Sequence, residues 1–419
     1  MKNYLSILLL AAMVMGCAAR RAPSTENTGE PWASLRAMGD SLHQAAAVGE
    51  KARAAGSDRE NAAGGRYLAE ITLQQLRRAV FSDPDHPVFR PSWPESAHTG
   101  LVNPDNLYET TSIRPGVDYL VRGTRGSTAD LVFQVYESSP GLKGSLRGVS
   151  TLTLDDLHIA DDGSFEIRVG PTRHEKNWLL TDATSGMLLI RWSHSDWATE
   201  RAGRVEILPV LGAGGGSADL AVADIAGGLR DAGNAVPDVG QFWLDFASKI
   251  RFFTGKNEVM KPRITGSGGL EGQVSAMGQF SLAEDEALIL TVPATDAPYQ
   301  GVQLGNYWFD ALEWANRQTS LSGGQARLGS DGRYHYVIAA TDPLVANWLD
   351  TTGLPEGLFF LRFQGLRTPI ADDQMPTTKL IKLTEVVAHL PAGTPRFDAA
   401  ARREQLATRQ IQLQRRYGR

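Results

Sequence analysis

Hydrophobic side chains recur at helical spacing in the first part of the chain. Leu35, Met38 and Leu42 lie three or four residues apart, and a second segment repeats this pattern after Gly56-Ser57-Asp58. The period places the apolar side chains on one face of a helix, and the small and acidic residues between the segments are typical of a turn. The pattern predicts a helical hairpin over residues 32–80.

From about residue 104 the pattern of the chain becomes alternating. Phe165, Ile167 and Val169 alternate with Glu166 and Arg168, which gives a strand one buried face and one wet face. Short runs of this kind, separated by turns rich in Gly and Asp, indicate an all-β region.

Part of this β region occurs twice. Residues 162–192 can be laid over residues 331–363 with slips of single residues. Both copies end in a continuous apolar run, which is typical of a strand buried on both faces in the middle of a sandwich. We therefore expect two β-sandwich domains. The matched positions are Asp162-Gly163 with Asp331-Gly332, Asn177-Trp178-Leu179 with Asn347-Trp348-Leu349, and Arg191-Trp192 with Arg362-Phe363.

An apolar stretch near the amino terminus is too short to cross a bilayer. It follows Lys2 and ends at Val14-Met15-Gly16-Cys17, which resembles a bacterial lipobox. In such a segment the cysteine thiol is alkylated by diacylglycerol, and cleavage makes the cysteine the new amino terminus. We expect lipid attachment at Cys17, and Ala18 rather than Asp after it is typical of sorting to the outer membrane. The alternative is a plain secretory signal whose cysteine is incidental.

These patterns divide the chain into segments of different character. Residues 218–254 have helical spacing interrupted by Pro237, and residues 396–418 are helix-prone and rich in arginine. The predicted fold class is mainly β, with a helical hairpin before two sandwiches, a helical insertion between them and a C-terminal helix. The predicted divisions are a signal peptide (1–16), a lipidated tether (17–30), a helical hairpin and lead-in (31–95), a first β-sandwich (96–210), a linker and helical insertion (211–270), a second β-sandwich (271–395) and a C-terminal helix (396–419).

Composition narrows the classes of function. The 419 residues include 42 Lys and Arg against 47 Asp and Glu, so the chain lacks the basic character of most nucleic-acid-binding domains. One cysteine allows neither an internal disulfide nor a thiolate metal cage, and the eight histidines have no metal-ligand spacing. No dinucleotide fingerprint, Walker loop or Gly-x-Ser-x-Gly elbow occurs. We expect no nucleic-acid partner, no metal site and no cofactor.

Several stretches resemble an uncharacterised bacterial family, the domain of unknown function numbered 1214, often found beside a sister domain numbered 1254. Residues 275–418 carry the most specific likeness, and residues 30–210 resemble the amino-terminal part of longer members. The chain departs from the family at Ser322-Gly323, where an Asn commonly stands, and at Ala297-Pro298-Tyr299, which replaces a stretch containing Cys. The resemblance implies an all-β, jelly-roll-like protein of the envelope or exterior. The stretches that carry it are NPDNLY (103–108), FSLAEDEALIL (280–290), QLGNYWFDAL (303–312), RQTSL (317–321), ATDPLVANWLDTTGLPEG (340–357), LRF (361–363) and the arginine-rich tail.

The duplicated Asn-Trp motif has two interpretations. Asn347 and Trp348 are candidate ligand contacts, because an aromatic face stacks on a sugar or another flat ligand and an amide offers both donor and acceptor. Tyr307 and Trp308 join them as candidates, and Asn306-Tyr307-Trp308 is expected to begin a strand corresponding to the one at Asn106. In the other interpretation Trp fills the core and Asn satisfies a turn. Duplication favours this second interpretation, because a residue present in both copies more often serves the fold.

The arginines also have two interpretations. Arg191 and its counterpart Arg362 close apolar strands, where a buried guanidinium would need several acceptors or a carboxylate. Arg362 is retained as a candidate ligand contact, although a head group that emerges into water is the interpretation that duplication favours. For the arginine-rich tail we favour a solvated helix face paired with acidic patches over contact with anionic lipid.

Residues present in one copy only are the candidates for chemistry. Asp350, Asp342 and Glu356 have no acidic counterparts in the first copy, and a glycosidase-like mechanism needs two carboxyl groups about 5–10 Å apart. The sequence therefore supports two hypotheses. The first is an outer-membrane lipoprotein, held in the membrane by its anchor and facing the periplasm, which binds a small molecule or glycan or has a structural or assembly role. The alternative is a hydrolase or lyase that acts on a carbohydrate-like or ester substrate through these carboxylates.

Overall fold

The protein is described by a computed structural model that covers residues 30–52, 58–92, 98–137, 147–210, 221–265 and 269–418. The predicted signal peptide, Cys17 and all but the last residue of the tether lie outside the described residues. Within them the fold is mainly β, with two jelly-roll-like sandwiches, a helical hairpin before them, a helical insertion between them and a helix at the end. The predicted fold class is therefore confirmed.

The hairpin and the insertion pack together as a three-helix unit. The helices are α1 (Pro31–Ala52), α2 (Asp58–Ala79) and α3 (Val222–Phe253). Arg230 of α3 donates a hydrogen bond to Ser34 of α1 over 2.9 Å, and a Cβ on Gly228 would lie 2.3 Å from the carbonyl oxygen of Ala79. The beginnings of α1 and α3 therefore lie at the same end of the unit as the end of α2.

The proline inside the insertion does not end its helix. We expected a break at Pro237, but α3 continues through it to Phe253. A proline inside a helix costs about 3 kcal/mol, because it removes one backbone hydrogen bond and its ring crowds the preceding turn. The buried side chains of Val236 and Val239 on either side pack against Tyr67 and Ile71 of α2 in one apolar cluster, and this packing offsets the cost.

Each sandwich consists of a five-stranded and a four-stranded sheet. The first sandwich has the orders β1-β2-β8-β4-β5 and β7-β6-β3-β9, and the second has β10-β11-β17-β13-β14 and β16-β15-β12-β18. The first contains β1 (Arg90–Pro91), β2 (Asn106–Ser112), β3 (Tyr119–Thr124), β4 (Asp130–Tyr136), β5 (Gly148–Leu152), β6 (Ser164–Gly170), β7 (Trp178–Leu180), β8 (Met187–Ser193) and β9 (Val205–Pro209). The second contains β10 (Arg263–Ile264), β11 (Val274–Ser281), β12 (Glu286–Pro293), β13 (Tyr299–Gly305), β14 (Ser320–Ser322), β15 (Arg333–Ala339), β16 (Trp348–Asp350), β17 (Glu356–Gln364) and β18 (Thr377–Lys382).

The two sandwiches are copies of one topology. Adding nine to each strand number of the first reproduces the strand orders of the second, including a parallel pair at the same place, β6 with β7 and β15 with β16. The apolar runs form β8 and β17, the central strands of the two five-stranded sheets. The edge strands β1 and β10 begin before residues 96 and 271, at which we had placed the starts of the sandwiches.

One expected correspondence between the copies is wrong. Asn106 begins β2, whose counterpart is β11, so the matching strand starts at Val274 and not at Asn306. Asn306 instead begins a turn after β13, in which its side chain accepts a hydrogen bond from the backbone of Trp308 over 2.9 Å. The likeness of the two tripeptides is therefore local and does not reflect the duplication.

The last helix, α4 (Ala399–Tyr417), connects the two sandwiches through buried arginines. Arg402 forms an ion pair with Asp342 at 2.9 Å, and Arg409 donates to the carbonyl oxygen of Trp314 at 2.8 Å. Arg416 donates to the carbonyl oxygen of Pro104 in the first sandwich. These three arginines are at most 5% exposed. The expected solvated face is therefore wrong for them, because their spacing of seven residues places them on one side of the helix.

Among the described residues, no helix has both the length and the apolar character needed to cross a bilayer.

The Asn-Trp motif makes the same contacts in both copies. The indole nitrogens of Trp178 and Trp348 donate to the carbonyl oxygens of Gly170 and Ala339, over 3.0 and 2.9 Å. The side chain of Asn347 accepts from the backbone nitrogen of Arg327 and donates to its carbonyl oxygen, both over 2.7 Å. In the first copy the Asn177 side chain makes the same pair of bonds to His158, over 2.7 and 2.8 Å. The motif thus joins the parallel strand pair to the loop before it.

Replacing Asn347 by Ala should therefore destabilise the fold. The change removes both hydrogen bonds to the backbone of Arg327, each of which contributes about 0.5–1.5 kcal/mol, so the expected loss is about 1–3 kcal/mol. Urea unfolding should show a loss of free energy in that range. The matched control is Asn316→Ala at an exposed position, which we expect to change stability by less than about 0.5 kcal/mol. Equal stability of the two variants would contradict a structural role for Asn347.

Candidate functional site

The outer faces of the two five-stranded sheets face each other and enclose a cleft. Ser193 at the end of β8 donates to Gln364 at the end of β17 over 2.7 Å, and these residues occupy equivalent positions in the two copies. Beside this contact lies a cavity of about 930 Å³. Its remaining wall is formed by α2 and α3, which contribute Gln75, Trp243 and Phe246 among others.

Arg191 projects into this cleft from the central strand of the first sandwich. Strand alternation places it on the face opposite to Ile190 and Trp192, which are fully buried in the core of the sandwich. Its guanidinium donates to the side-chain oxygens of Gln134 and Tyr136, each over 2.7 Å. The residue is 8% exposed. It forms no ion pair with a carboxylate of the described residues.

Arg362 occupies the equivalent position in the second sandwich. Its guanidinium donates to the side-chain oxygen of Gln303 and to the carbonyl oxygen of Leu101, the latter over 2.5 Å. It lies 4.1 Å from the centre of the Phe360 ring and is 7% exposed. Burial lowers the pKa of Arg362, and Asp105 partly opposes this effect, although an arginine keeps its proton at neutral pH. No described carboxylate pairs with it either.

The arrangement around the two arginines is duplicated. In β4, Gln134 stands two residues after Val132, the strand partner of Arg191. In β13, Gln303 stands two residues after Gly301, the strand partner of Arg362. Each sandwich therefore supplies one arginine and one supporting glutamine, so the pairing belongs to the repeated unit. Because the two copies face each other, both arginines line the same cavity.

The lining of the cleft has an excess of positive charge. Eight of the residues that line the cleft are basic, and Asp83 is the one acidic residue of this lining. Arg78 at the end of α2 makes no hydrogen bond or ion pair through its side chain to other described residues, and burial lowers its pKa to about 10. The basic lining residues are Arg77, Arg78, Arg90, Arg147, Arg191, Lys261, Arg263 and Arg362.

The part of the helical wall that α3 forms is apolar and aromatic. Trp243 stacks on Phe309 with ring centres 5.3 Å apart, and Phe246 meets the same ring edge-on at 4.9 Å. Tyr108 and Tyr136 lie beside Arg191, with ring centres 6.0 and 5.8 Å from its guanidinium carbon. The cleft therefore combines cationic groups, on the sheets and on α2, with an aromatic surface on α3.

The candidate carboxylates do not form a pair of free acids. Asp342 binds Arg402 of α4, and Asp350 accepts from Arg317 over 2.8 Å. Glu356 binds Lys256, also over 2.8 Å. Each carboxylate is neutralised by a different cation, so the arrangement offers no facing acid and base from these three residues.

Tyr307, Trp308 and Glu356 line a second cavity of about 270 Å³ beside the helices. The Trp308 ring packs 5.5 Å from the ring of Tyr67, and Arg251 lies 4.0 Å from the centre of the Tyr307 ring. Each of the two aromatic rings is thus in contact with a neighbouring side chain. Trp348 is 8% exposed, and the centre of its ring lies 5.0 Å from the guanidinium carbon of Arg402.

Of the candidate ligand contacts chosen from the sequence, Arg362 is the one that faces the large cleft. Arg191 and Arg78 also line this cleft, but they were not among the candidates.

A buried acid stands at the second cavity. One carboxyl oxygen of Asp310 has no hydrogen-bond partner, and burial, with the nearby charge of Glu70, raises the pKa of Asp310 well above its usual value. Burial also acts to raise the pKa of Glu70, but hydrogen bonds from His98 and Thr99 outweigh it and the pKa is lowered. The ring nitrogen Nδ1 of His98 lies 2.7 Å from the Glu70 carboxylate. The surroundings of Asp310 thus favour its protonated form, beside a Glu70 carboxylate that His98 and Thr99 bind.

A polar cluster at the domain boundary was also missed by the sequence. The carboxylate of Asp105 accepts from the Trp197 indole over 2.9 Å and from the Tyr299 hydroxyl over 2.7 Å. Burial raises its pKa, while the Tyr299 hydrogen bond and the charges of Arg416 and Arg409 act in the opposite direction. The signal available was the segment NPDNLY, which contains this acid. The described residues contain no group of three or more His, Cys, Asp or Glu side chains arranged to hold a metal ion.

Comparison with known proteins identifies a relative without a described activity. The chain is 30% identical to an uncharacterised protein from Burkholderia cenocepacia of known crystal structure, with a TM-score of 0.76 over 85% of this chain and 98% of that one. The chain therefore belongs to the same family as that protein. A Vibrio parahaemolyticus protein of known structure is 12% identical, with a TM-score of 0.41 over 76% of this chain and 97% of that one. No family model and no curated protein match the chain.

Asp310 should make stability depend on pH. The folded state keeps the Asp310 proton at pH values where the unfolded state has lost it, so the free energy of unfolding falls as pH rises, by up to about 1.4 kcal/mol per pH unit. This loss begins near the unfolded pKa and ends at the folded one. Asp310→Asn removes this contribution, and urea unfolding at pH 4, 6 and 8 should show the variant gaining stability relative to the wild type as pH rises. A difference that does not change with pH would contradict the burial of a neutral acid.

Proposed function

We propose that this protein is an envelope lipoprotein that binds an anionic amphiphile in the cleft between its two sandwiches. The observation that carries the proposal is the pair of buried arginines, Arg191 and Arg362, which face one cavity without a carboxylate partner among the described residues. An ion removed from water without a counter-charge costs several kcal/mol. An anionic ligand would remove that cost in both sandwiches at once.

The contacts of the two guanidinium groups support an anion rather than a neutral ligand. Gln134, Tyr136, Gln303 and the carbonyl of Leu101 accept hydrogen bonds from them but carry no charge. Each guanidinium has five N–H donors in a planar fork that suits carboxylate or phosphate oxygens. The neutral acceptors would therefore orient the arginines and leave donors for the ligand.

The apolar wall and the size of the cleft support an amphiphile. Trp243 and Phe246 stand on the helical side of the cavity, across from the sheets that carry the arginines. A volume of about 930 Å³ lies near the upper end of the range of about 300–1,000 Å³ for small-molecule sites. A ligand with an anionic head and an apolar body would place each part against a matching surface.

The localisation proposed here rests on the sequence at Cys17. Several acyl chains hold a protein durably in a membrane, since each buried CH₂ contributes about 0.8 kcal/mol. We propose that the protein is anchored in the outer membrane and faces the periplasm. Membership of the family numbered 1214, which the segments NPDNLY and LRF indicate, is part of the same proposal, and both segments lie where the sandwiches meet: Asn106 and Arg362 line the cleft.

Removing either cleft arginine should weaken the binding of an anionic amphiphile. A hydrogen bond to a charged group contributes about 1.5–3 kcal/mol, so we expect Arg191→Gln and Arg362→Gln each to weaken decanoate binding about ten- to hundredfold. The uncharged analogue 1-decanol has the same tail and should bind both variants within about threefold of the wild type. Isothermal titration calorimetry measures all of these affinities.

The matched control for these variants is Arg122→Gln. Arg122 also lies on a strand, but it is half-exposed and pairs with Glu166 outside the cleft, so decanoate affinity should not change. Thermal melting of each variant checks that the fold is retained. A wild-type protein that binds neither decanoate nor the aromatic sulfonate 8-anilinonaphthalene-1-sulfonate, or that binds decanoate and 1-decanol equally, would overturn the proposal.

Replacing Cys17 by Ser should release the protein from membranes. The change removes the thiol that carries the diacylglycerol, so the variant should move from the membrane pellet to the soluble fraction when cells are fractionated. Ala18→Asp is a useful companion, because an acidic residue after the cysteine is expected to retain the lipoprotein in the inner membrane. Persistent membrane association of the Cys17→Ser protein would contradict lipidation.

A further inference from the structure

One end of the three-helix unit collects large apolar side chains that face solvent. Trp32 and Leu35 near the start of α1 are 68% and 48% exposed, Val222 at the start of α3 is 60% exposed, and Phe81 just after α2 is 60% exposed. The contacts of Ser34 with Arg230 and of Ala79 with Gly228 place these three helix termini together. At a rise of 1.5 Å per residue the four side chains lie within about 14 Å of one another along the helix axes.

The same end receives the segment that carries the proposed anchor. Residues 18–30 separate Cys17 from the first residue of α1, and thirteen residues span at most about 45 Å when fully extended. The contact of Ser34 with Arg230 sets the start of α1 level with Gly227 of α3, so Phe253 at the opposite end of α3 is about 39 Å away along the axis. A lipid anchor at Cys17 could place the bilayer at that far end only if most of the segment were drawn out along the helix.

Part of the wall of the basic cleft lies beside this apolar end. Arg78 at the end of α2 lines the cavity, as do Ser82, His86 and Val88 in the segment that follows Phe81. Val88 is 61% exposed and continues the apolar surface to the rim of the cleft. A ligand that left a membrane at this end would therefore meet the cavity within a few residues of the surface.

We propose that the end of the helical unit formed by Trp32, Leu35, Phe81 and Val222 lies on the bilayer, and that the cleft takes its anionic ligand directly from the membrane as a lipid. This inference rests on the proposed function and names the source of its ligand. Tryptophan and other large apolar side chains favour the interface between headgroups and acyl chains. Soluble monomeric proteins rarely leave contiguous apolar patches without a partner, and here the anchor supplies the partner.

Orientation can be measured with thiol probes on the full lipidated chain. Cys17 is the one cysteine of the sequence, and its acylation leaves no free thiol, so Val222→Cys and Phe252→Cys each provide a single labelling site. Phe252 is 82% exposed at the opposite end of α3 and is the matched control. A nitrobenzoxadiazole label is attached to each, and the proteins are reconstituted in vesicles of three parts phosphatidylethanolamine to one part phosphatidylglycerol that contain brominated acyl chains.

We expect bromine quenching to be at least threefold stronger at position 222 than at position 252. Equal quenching at the two positions, or stronger quenching at position 252, would overturn the proposed orientation. Labelling of the unsubstituted protein would show that Cys17 has a free thiol, which would overturn the anchor on which the inference depends.

A second measurement separates the source of the ligand from its binding. The double variant Trp32→Ser with Phe81→Ser should extract a fluorescent dodecanoate from vesicles at least threefold more slowly than the wild type, with unchanged affinity for decanoate in solution. Phe252→Ser with Phe253→Ser is the control and should change neither. Unchanged extraction with intact decanoate binding would overturn the membrane inference alone, whereas absence of decanoate binding by the wild type would overturn the proposed function itself.

Discussion

The packing of one sheet face against its own copy is the constraint on which the rest of the structure depends. A single sandwich of this type would leave the outer face of its five-stranded sheet, with its arginine, in water. Facing two such sheets removes both arginines from water, and the neutral groups around them, such as Gln134 and Gln303, satisfy hydrogen bonds without neutralising charge. The same packing creates the cavity between the sheets, and α2 and α3 close it.

The C-terminal helix stabilises this arrangement from outside the cleft. Arg402 is bound to the second sandwich through Asp342, and Arg416 reaches the carbonyl of Pro104 in the first. Arg409 and Arg416 lie 4.3 and 4.1 Å from the centre of the Trp197 ring, which itself donates to Asp105. The charge of the helix is thus distributed over aromatic faces, backbone carbonyls and two acids. This is how a helix rich in arginine can be buried at a boundary between domains.

Much of the fold could be predicted from the sequence, because its signals are local. Helical spacing identified the hairpin, strand alternation identified the sandwiches, and the Asn-Trp match identified the duplication. The cleft could not be predicted in the same way, because it depends on which faces meet and no local pattern records that. The rule that shared residues serve the fold agrees with the contacts of Asn347 and Trp348. Under the proposed function the rule would not extend to Arg191 and Arg362, since two copies of a surface residue line one cavity when the surfaces face each other. The period of seven among Arg402, Arg409 and Arg416 was readable but was obscured by the other arginines of the tail.

The hydrogen bond between Ser193 and Gln364 joins residues at the same place in the two copies. Contacts between equivalent residues are the mark of an isologous interface, in which a surface patch meets itself across a twofold axis. The meeting of β8 with β17 therefore has the geometry of a homodimer interface, formed here within one polypeptide. Because the two halves are parts of one chain their residues can differ, and a serine facing a glutamine at equivalent positions is an asymmetric pair that no true homodimer could contain.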